Sequence, residues 1–148
     1  MDIKNSVIGE TCAIGIMTYI TEEFGVYLEK ELKRRKIPIQ RKHAGLFMIL
    51  FFKSNKIEFK ELAHIWRKSK STLCDITSKY ADQKLIKKTN CCSDKRNVYI
   101  EITEEGLKYK KDFDEISGDF LEKATSTLSK DKVEELKFIL DKMIKVFI

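Results

Sequence analysis

The chain has 148 residues, 43% of them hydrophobic and 35% charged, with a formal net charge of +6. That length can bury a core of its own, and that balance excludes a disordered chain. Asp2, Lys4 and Glu10 interrupt the early apolar residues, no apolar run reaches membrane-spanning length and no secretory signal is evident, so a cytoplasmic protein without a membrane partner is expected.

From about Ile8 to Lys36, Ala13, Met17, Ile20, Phe24, Tyr27 or Leu28, and Leu32 recur at the spacing of one helix face. Pro38, the single proline, disfavours helical geometry at Ile37 and so ends that helix near Lys36. Ile39 to Lys53 reads as a second helix, apolar nearly all round through Ala44, Leu46, Phe47, Ile49, Leu50, Phe51 and Phe52, which implies central burial. Glu58 to Trp66 is a short helix with Phe59, Leu62, Ala63 and Ile65 inward, and Arg67-Lys68 makes a turn.

Ser69 is a good N-cap for the next helix, predicted to run to Lys84 with Leu73, Ile76 and Tyr80 as its buried seam. Leu85-Ile86 leads into a strand. Beyond a basic turn, Asp94-Lys95-Arg96, the alternation of Val98, Ile100 and Ile102 with Tyr99 and Glu101 predicts a hairpin with one buried face. Thr103 caps a long helix whose first turn is acidic (Glu104, Glu105) and which is expected to reach about Ser129. In the last helix, Asp131 to Ile148, the residues Val133, Leu136, Leu140, Met143 and Phe147 follow gaps of three and four, a heptad seam. Apolar residues at that end need a partner surface, supplied either by a second copy of the chain or by the chain's own domain.

Two short helices, a longer one and a basic-tipped hairpin form the layout of a winged helix-turn-helix. The fold class expected is mainly α with a small β-hairpin wing, in one domain spanning 1–148. The DNA-binding region is 39–102, and 1–36 with 103–148 form a helical dimerisation region. Charge agrees with this division: residues 53–100 hold twelve Lys or Arg against five acids, a net +7, which leaves the flanks together at −1. A basic middle between near-neutral flanks is the footprint of a phosphate-binding module.

The reading helix offers Lys70, Ser71, Thr72, Cys74, Asp75, Ser78 and Lys79 outward, with Lys68 just before it. Hydroxyls and a lysine at a helix N-terminus suit phosphate contact, because the backbone N–H groups there lack partners. Lys95 and Arg96 at the wing tip can place a cation in the minor groove, with Asp94 bracing the guanidinium. The partner expected is double-stranded DNA. An alternative is a winged-helix module whose wing and helix face another protein.

The stretch resembles the MarR family of bacterial winged-helix regulators. Glu61-Leu62-Ala63 followed by Ser69-Lys70-Ser71-Thr72 is similar to that family's helix-turn-helix, Leu85-Ile86 to its entry to the wing and Asp94-Lys95-Arg96 to its wing tip. Ile102-Thr103-Glu104-Glu105-Gly106 is similar to the start of its following helix, and Ile37 to Leu50 looks like the helix before its reader. The resemblance implies a homodimer on pseudo-palindromic operators, a repressor released by a small molecule or an oxidant. The chain departs from the pattern at Cys74-Asp75, where the family often has Thr-Arg. It departs again at Arg67-Lys68, in place of Gly-Leu, and at Lys84, in place of Gly.

A small aromatic or other effector would lie against Phe24, Phe47 and Phe51, near the dimer seam. Cys12 stands roughly where the oxidant-sensing members keep their reactive thiol, although Tyr19 and Tyr27 lack the spacing those sensors use; a small packed residue is the alternative there. The other cysteines are expected as thiols: Cys91 and Cys92 on the wing approach, and Cys74 on the reading face. His43 and His64 are the only histidines, and without Cys-x-x-Cys or His-x-x-x-His spacing no metal or other cofactor is expected. His43 is expected to cap or flank the second helix. No Ser-His-Asp set or Gly-rich phosphate loop is present, so an enzyme would be left with Cys12 and His43.

Overall fold

The computed structural model describes residues 13–90 and 96–148. The chain divides into two compact units, one ending at Arg41 and the other running from Lys42 to Ile148. In the first, α1 (Ala13–Arg34) buries Leu28 and Leu32. It ends in two tight hydrogen bonds, Lys36 N to Lys33 O and Ile37 N to Leu32 O, with Lys36 at φ 55°. That is a left-handed helix stop, reached before Pro38 has to impose one. Arg41 reaches back along the unit to Glu22 at 2.9 Å and lies beside Gly25.

A 3-10 turn, Arg41–His43, starts at the last residue of the first unit and precedes α2 (Ala44–Phe52) of the second. The second helix is thus shorter than the sequence pattern implies. Its Leu46, Phe47, Leu50 and Phe51 are buried, whereas Phe52 is exposed beneath the Lys110 ammonium. β1 (Lys56–Glu58), α3 (Phe59–Trp66), α4 (Lys70–Asp82), β2 (Ile86–Asn90) and β3 (Val98–Ile102) follow. β1 is a strand that sequence reading misses, being three residues long inside a polar stretch. It pairs antiparallel with β3, so the sheet order is β1-β3-β2 and the wing has a third strand at its root. Ile57 pairs with Ile100, and Ile86 with Ile102, which keeps the apolar side of the alternation on the core.

Thr103 does cap a helix, accepting from Gly106 N at 3.1 Å, but that helix is only α5 (Glu104–Leu107). The single long helix expected here is broken. Gly106 lies so close to the Leu85 carbonyl that a β-carbon would stand 2.3 Å from it, and Tyr109 N bonds Gly106 O at 3.2 Å in a tight turn. α6 (Lys110–Ala124) then starts afresh and ends before a Thr-Ser-Thr run of weak helix formers. Ser129 caps α7 (Lys130–Ile144). Phe47, Tyr80, Phe51 and Phe113 interlock edge to face or tilted, with ring centroids 5.0–6.0 Å apart.

Candidate nucleic-acid interface

α3 closes at Arg67, which takes the left-handed conformation (φ 53°) and turns the chain toward α4. Ser69 then performs the cap read from the sequence: its Oγ accepts from Thr72 N at 3.2 Å and donates to Thr72 Oγ1 at 2.9 Å. Leu73, Ile76, Thr77 and Tyr80 are the buried side of α4. Their spacing of three and four sets the opposite side toward solvent. Thr77 satisfies its buried hydroxyl on Leu73 O at 2.8 Å.

Lys68, Lys70, Ser71, Thr72, Asp75 and Ser78 are exposed, which puts hydroxyls, ammonium groups and the first turn of a capped helix on one surface, a combination suited to anions. Lys68 lies over the Trp66 ring at 5.2 Å. Lys79 is half-buried, its ammonium over the Tyr80 ring at 5.7 Å, so it sits at the margin of this face. Cys74 is half-buried too and turns toward the wing.

The wing's Arg96 is exposed. Asp94 and Lys95 lie outside the described residues, as do Cys91, Cys92 and Cys12. Arg96 and Val98 from the wing, Lys88 from β2, Lys70 and Cys74 from α4 and Phe59 from α3 line one cavity of about 440 Å³. That cavity brings α4 and Arg96 of the wing together in space. Lys88 belongs to no motif in the sequence. Its Nζ donates to Ser78 Oγ at 2.8 Å and approaches Cys74 O at 3.5 Å. The one sequence signal for it is its place two residues after buried Ile86, on the same strand face.

His43 sits at the first residue before α2, yet its ring caps nothing. It turns inward and its Nδ1 meets Tyr80 Oη at 2.9 Å, tying the start of α2 to the buried side of α4. Burial lowers the His43 pKa below its ordinary value, helped by the cations Lys42, Lys79 and Lys68. Of the residues expected at an effector pocket, Phe47 and Phe51 are buried within the aromatic cluster and Phe24 is half-buried on α1. The cavity beside α4 and an open cleft of about 720 Å³ between α6 and α7 are lined by other residues. Among the described residues no three His, Cys, Asp or Glu side chains gather as for a metal, and no helix is long and apolar enough to cross a membrane.

No protein-family model and no curated protein matches the chain. Solved structures do. A MarR transcriptional regulator from Methanosarcina mazei Go1 superposes with a TM-score of 0.75 at 19% identity, over 88% of this chain and 85% of that one. The S. aureus MepR–DNA complex gives 0.72 at 20% identity, over 93% and 99%. Wild type MarR (apo form) from E. coli gives 0.72 at 16% identity, over 90% and 96%. At such identities the likeness is one of backbone, and the chain has the winged helix-turn-helix fold of the MarR transcriptional regulators.

Proposed function

We propose that the chain is a sequence-specific, DNA-binding transcription regulator that acts as a homodimer. It represses at pseudo-palindromic operators and is released by a small ligand or by thiol oxidation. In each copy α4 enters the major groove: Lys68, Lys70, Ser71 and Thr72 hold phosphates at its start, Asp75, Ser78 and Lys79 face the base edges and the far backbone, and Cys74 lies beside them on the side toward the wing. Arg96, with Lys95 and the brace Asp94, reaches the adjacent minor groove. Cys12 is the thiol an oxidant would modify, and Phe24, Phe47 and Phe51 are the aromatic residues that would line an effector's pocket.

The observation that carries this reading is the pairing of a capped, cationic, exposed first turn on α4 with exposed Arg96 across one small cavity. A helix start and a wing cation held side by side match a groove and its neighbouring backbone. A solved relative by fold, S. aureus MepR, is seen with DNA, which supports the same use of this scaffold. Asp75 on the reading face repels phosphate but accepts from a cytosine amine, so it favours base contact over backbone contact.

Titration of fluorescent duplex with the purified protein over a range of salt tests the proposal. Two reading helices and two wings holding about six phosphates or more give a log–log slope of about −5 or steeper. Affinity absent on every duplex at low salt overturns the reading in favour of a protein-facing module.

A further inference from the structure

Lys88 is on β2, two residues after Ile86, so strand alternation puts both side chains on one face of the hairpin. Ile86 is buried, and the same face of β2 packs toward α4. One step further toward the wing tip that packing gives way to the cavity lined by Lys70, Cys74, Lys88, Arg96 and Val98. Across this gap the Lys88 ammonium donates to Ser78 Oγ at 2.8 Å and approaches Cys74 O at 3.5 Å. Cys74 and Ser78 are one helical turn apart, so a single ammonium spans a full turn of α4. On the other strand, Lys88 is in register with Ile100, and Val98, two residues after Arg96, pairs with Asn90.

We propose that Lys88 is a positioning residue, the cross-tie that holds the wing at a set angle to α4, so that Arg96 and the first turn of α4 meet DNA as one rigid surface. The inference rests on the DNA-binding reading above and deepens it. Beyond Ile86, a cavity lies between the described residues of the wing and α4. A charge-assisted hydrogen bond there limits how far the hairpin can swing. A two-part contact surface that is already set loses less freedom on binding than one that must be ordered, and that difference is read as affinity. Ser78 changes role as well: its oxygen serves Lys88 and steadies the wing.

The test has a DNA-free arm and a DNA arm. Lys88→Met keeps the aliphatic stem and removes the donor; Lys88→Arg keeps a cation and a donor. Amide hydrogen exchange of Asn90, Val98 and Tyr99 in the intact chain should quicken several-fold in Lys88→Met and in Ser78→Ala, with Ile102 unchanged and Lys88→Arg close to wild type. Unchanged exchange at Asn90 and Val98 overturns the tie, whatever the DNA result. In the DNA arm, Lys88→Met should weaken binding about tenfold with the salt slope kept, and Arg96→Ala should then cost only about twofold more. Independent, multiplying losses with the slope reduced by about one charge would make Lys88 an ordinary phosphate contact and overturn the proposal. A wild-type protein that binds no duplex overturns the DNA-binding reading and the role built on it, while the exchange arm still reports on the tie.

Discussion

Arg67 and Lys84 occupy left-handed backbone conformations, φ 53° and 62°, that glycine adopts without strain. Both are positions where the resembling family has glycine at or near the turn. At Lys84 the conformation is set by a helix stop in which Lys84 N bonds Ala81 O at 2.9 Å and Leu85 N bonds Tyr80 O at 3.0 Å. A side chain at such a site costs on the order of 1 kcal/mol. Lys84→Gly should therefore stabilise the protein, raising Tm by roughly 2–4 °C, the scale for a chain of this size. Lys53→Gly, at φ −103°, should lower it. A fall in both melting temperatures would refute the strain account. His43 gives a second prediction. Its neutral form is favoured in the fold, so its contribution to stability is fully present above the ordinary histidine pKa of 6.5 and fades as pH falls through the lower folded value. Melting between about pH 7 and about pH 5.5 should show a loss that His43→Gln flattens. A pH profile identical in the variant would remove His43 as its source.

Among the elements, α4 was legible almost completely. The Ser69 cap, the seam of Leu73, Ile76 and Tyr80 and the outward side follow from neighbours within four residues, and local rules suffice for those. β1 was not legible, because a strand of three residues is defined by its partner β3 and has no pattern of its own. The break between α5 and α6 was hidden for a related reason. Gly106 is forced by the carbonyl of Leu85, twenty-one residues away in sequence, and Thr103 is held by the same stretch, donating to Lys84 O at 2.7 Å. Of the wing, β3 could be placed from alternation and Arg96 from the basic turn before it, while Lys88 needed the approach of β2 to α4. Arg96→Ala should weaken operator binding by about 1–3 kcal/mol, the loss of one groove contact. Fluorescence anisotropy on one duplex checks it, and equal affinity for the variant would take the wing out of DNA contact.

At the scale of the molecule, much apolar surface is left in water by a single copy. On α7 and after it, Ile139, Leu140, Met143, Ile144, Phe147 and Ile148 are exposed, Phe147 by 72%, and α1 separately exposes Ile14, Met17 and Ile20. The polar side of α7 is laced by Lys132–Glu135, Lys137–Glu134 and Lys145–Asp141 pairs, each worth a few tenths of a kcal/mol at most. Ion pairs of that size shape a helix without covering its apolar side. The heptad row Val133, Leu136, Leu140, Met143 and Phe147 is only half-buried at its start and exposed at its end, as a surface awaiting a second copy would be. Leu140→Glu with Met143→Glu should therefore give a folded monomer by light scattering and abolish tight operator binding, since one half-site then acts alone. A wild-type chain that is already monomeric at micromolar concentration would defeat the dimer.

The sequence by itself determined the winged-helix layout, α4 with its cap and seam, and the basic middle of the chain. Each of these depends on periodicity, capping or charge within a short window. Only the tertiary structure decided that β1 completes the sheet, that the long helix breaks between Leu107 and Lys110, that His43 turns inward to Tyr80, and that Lys88 bridges the wing and α4. Those four are contacts between segments distant in sequence, where the geometry of the meeting, not the preference of either segment, selects the outcome.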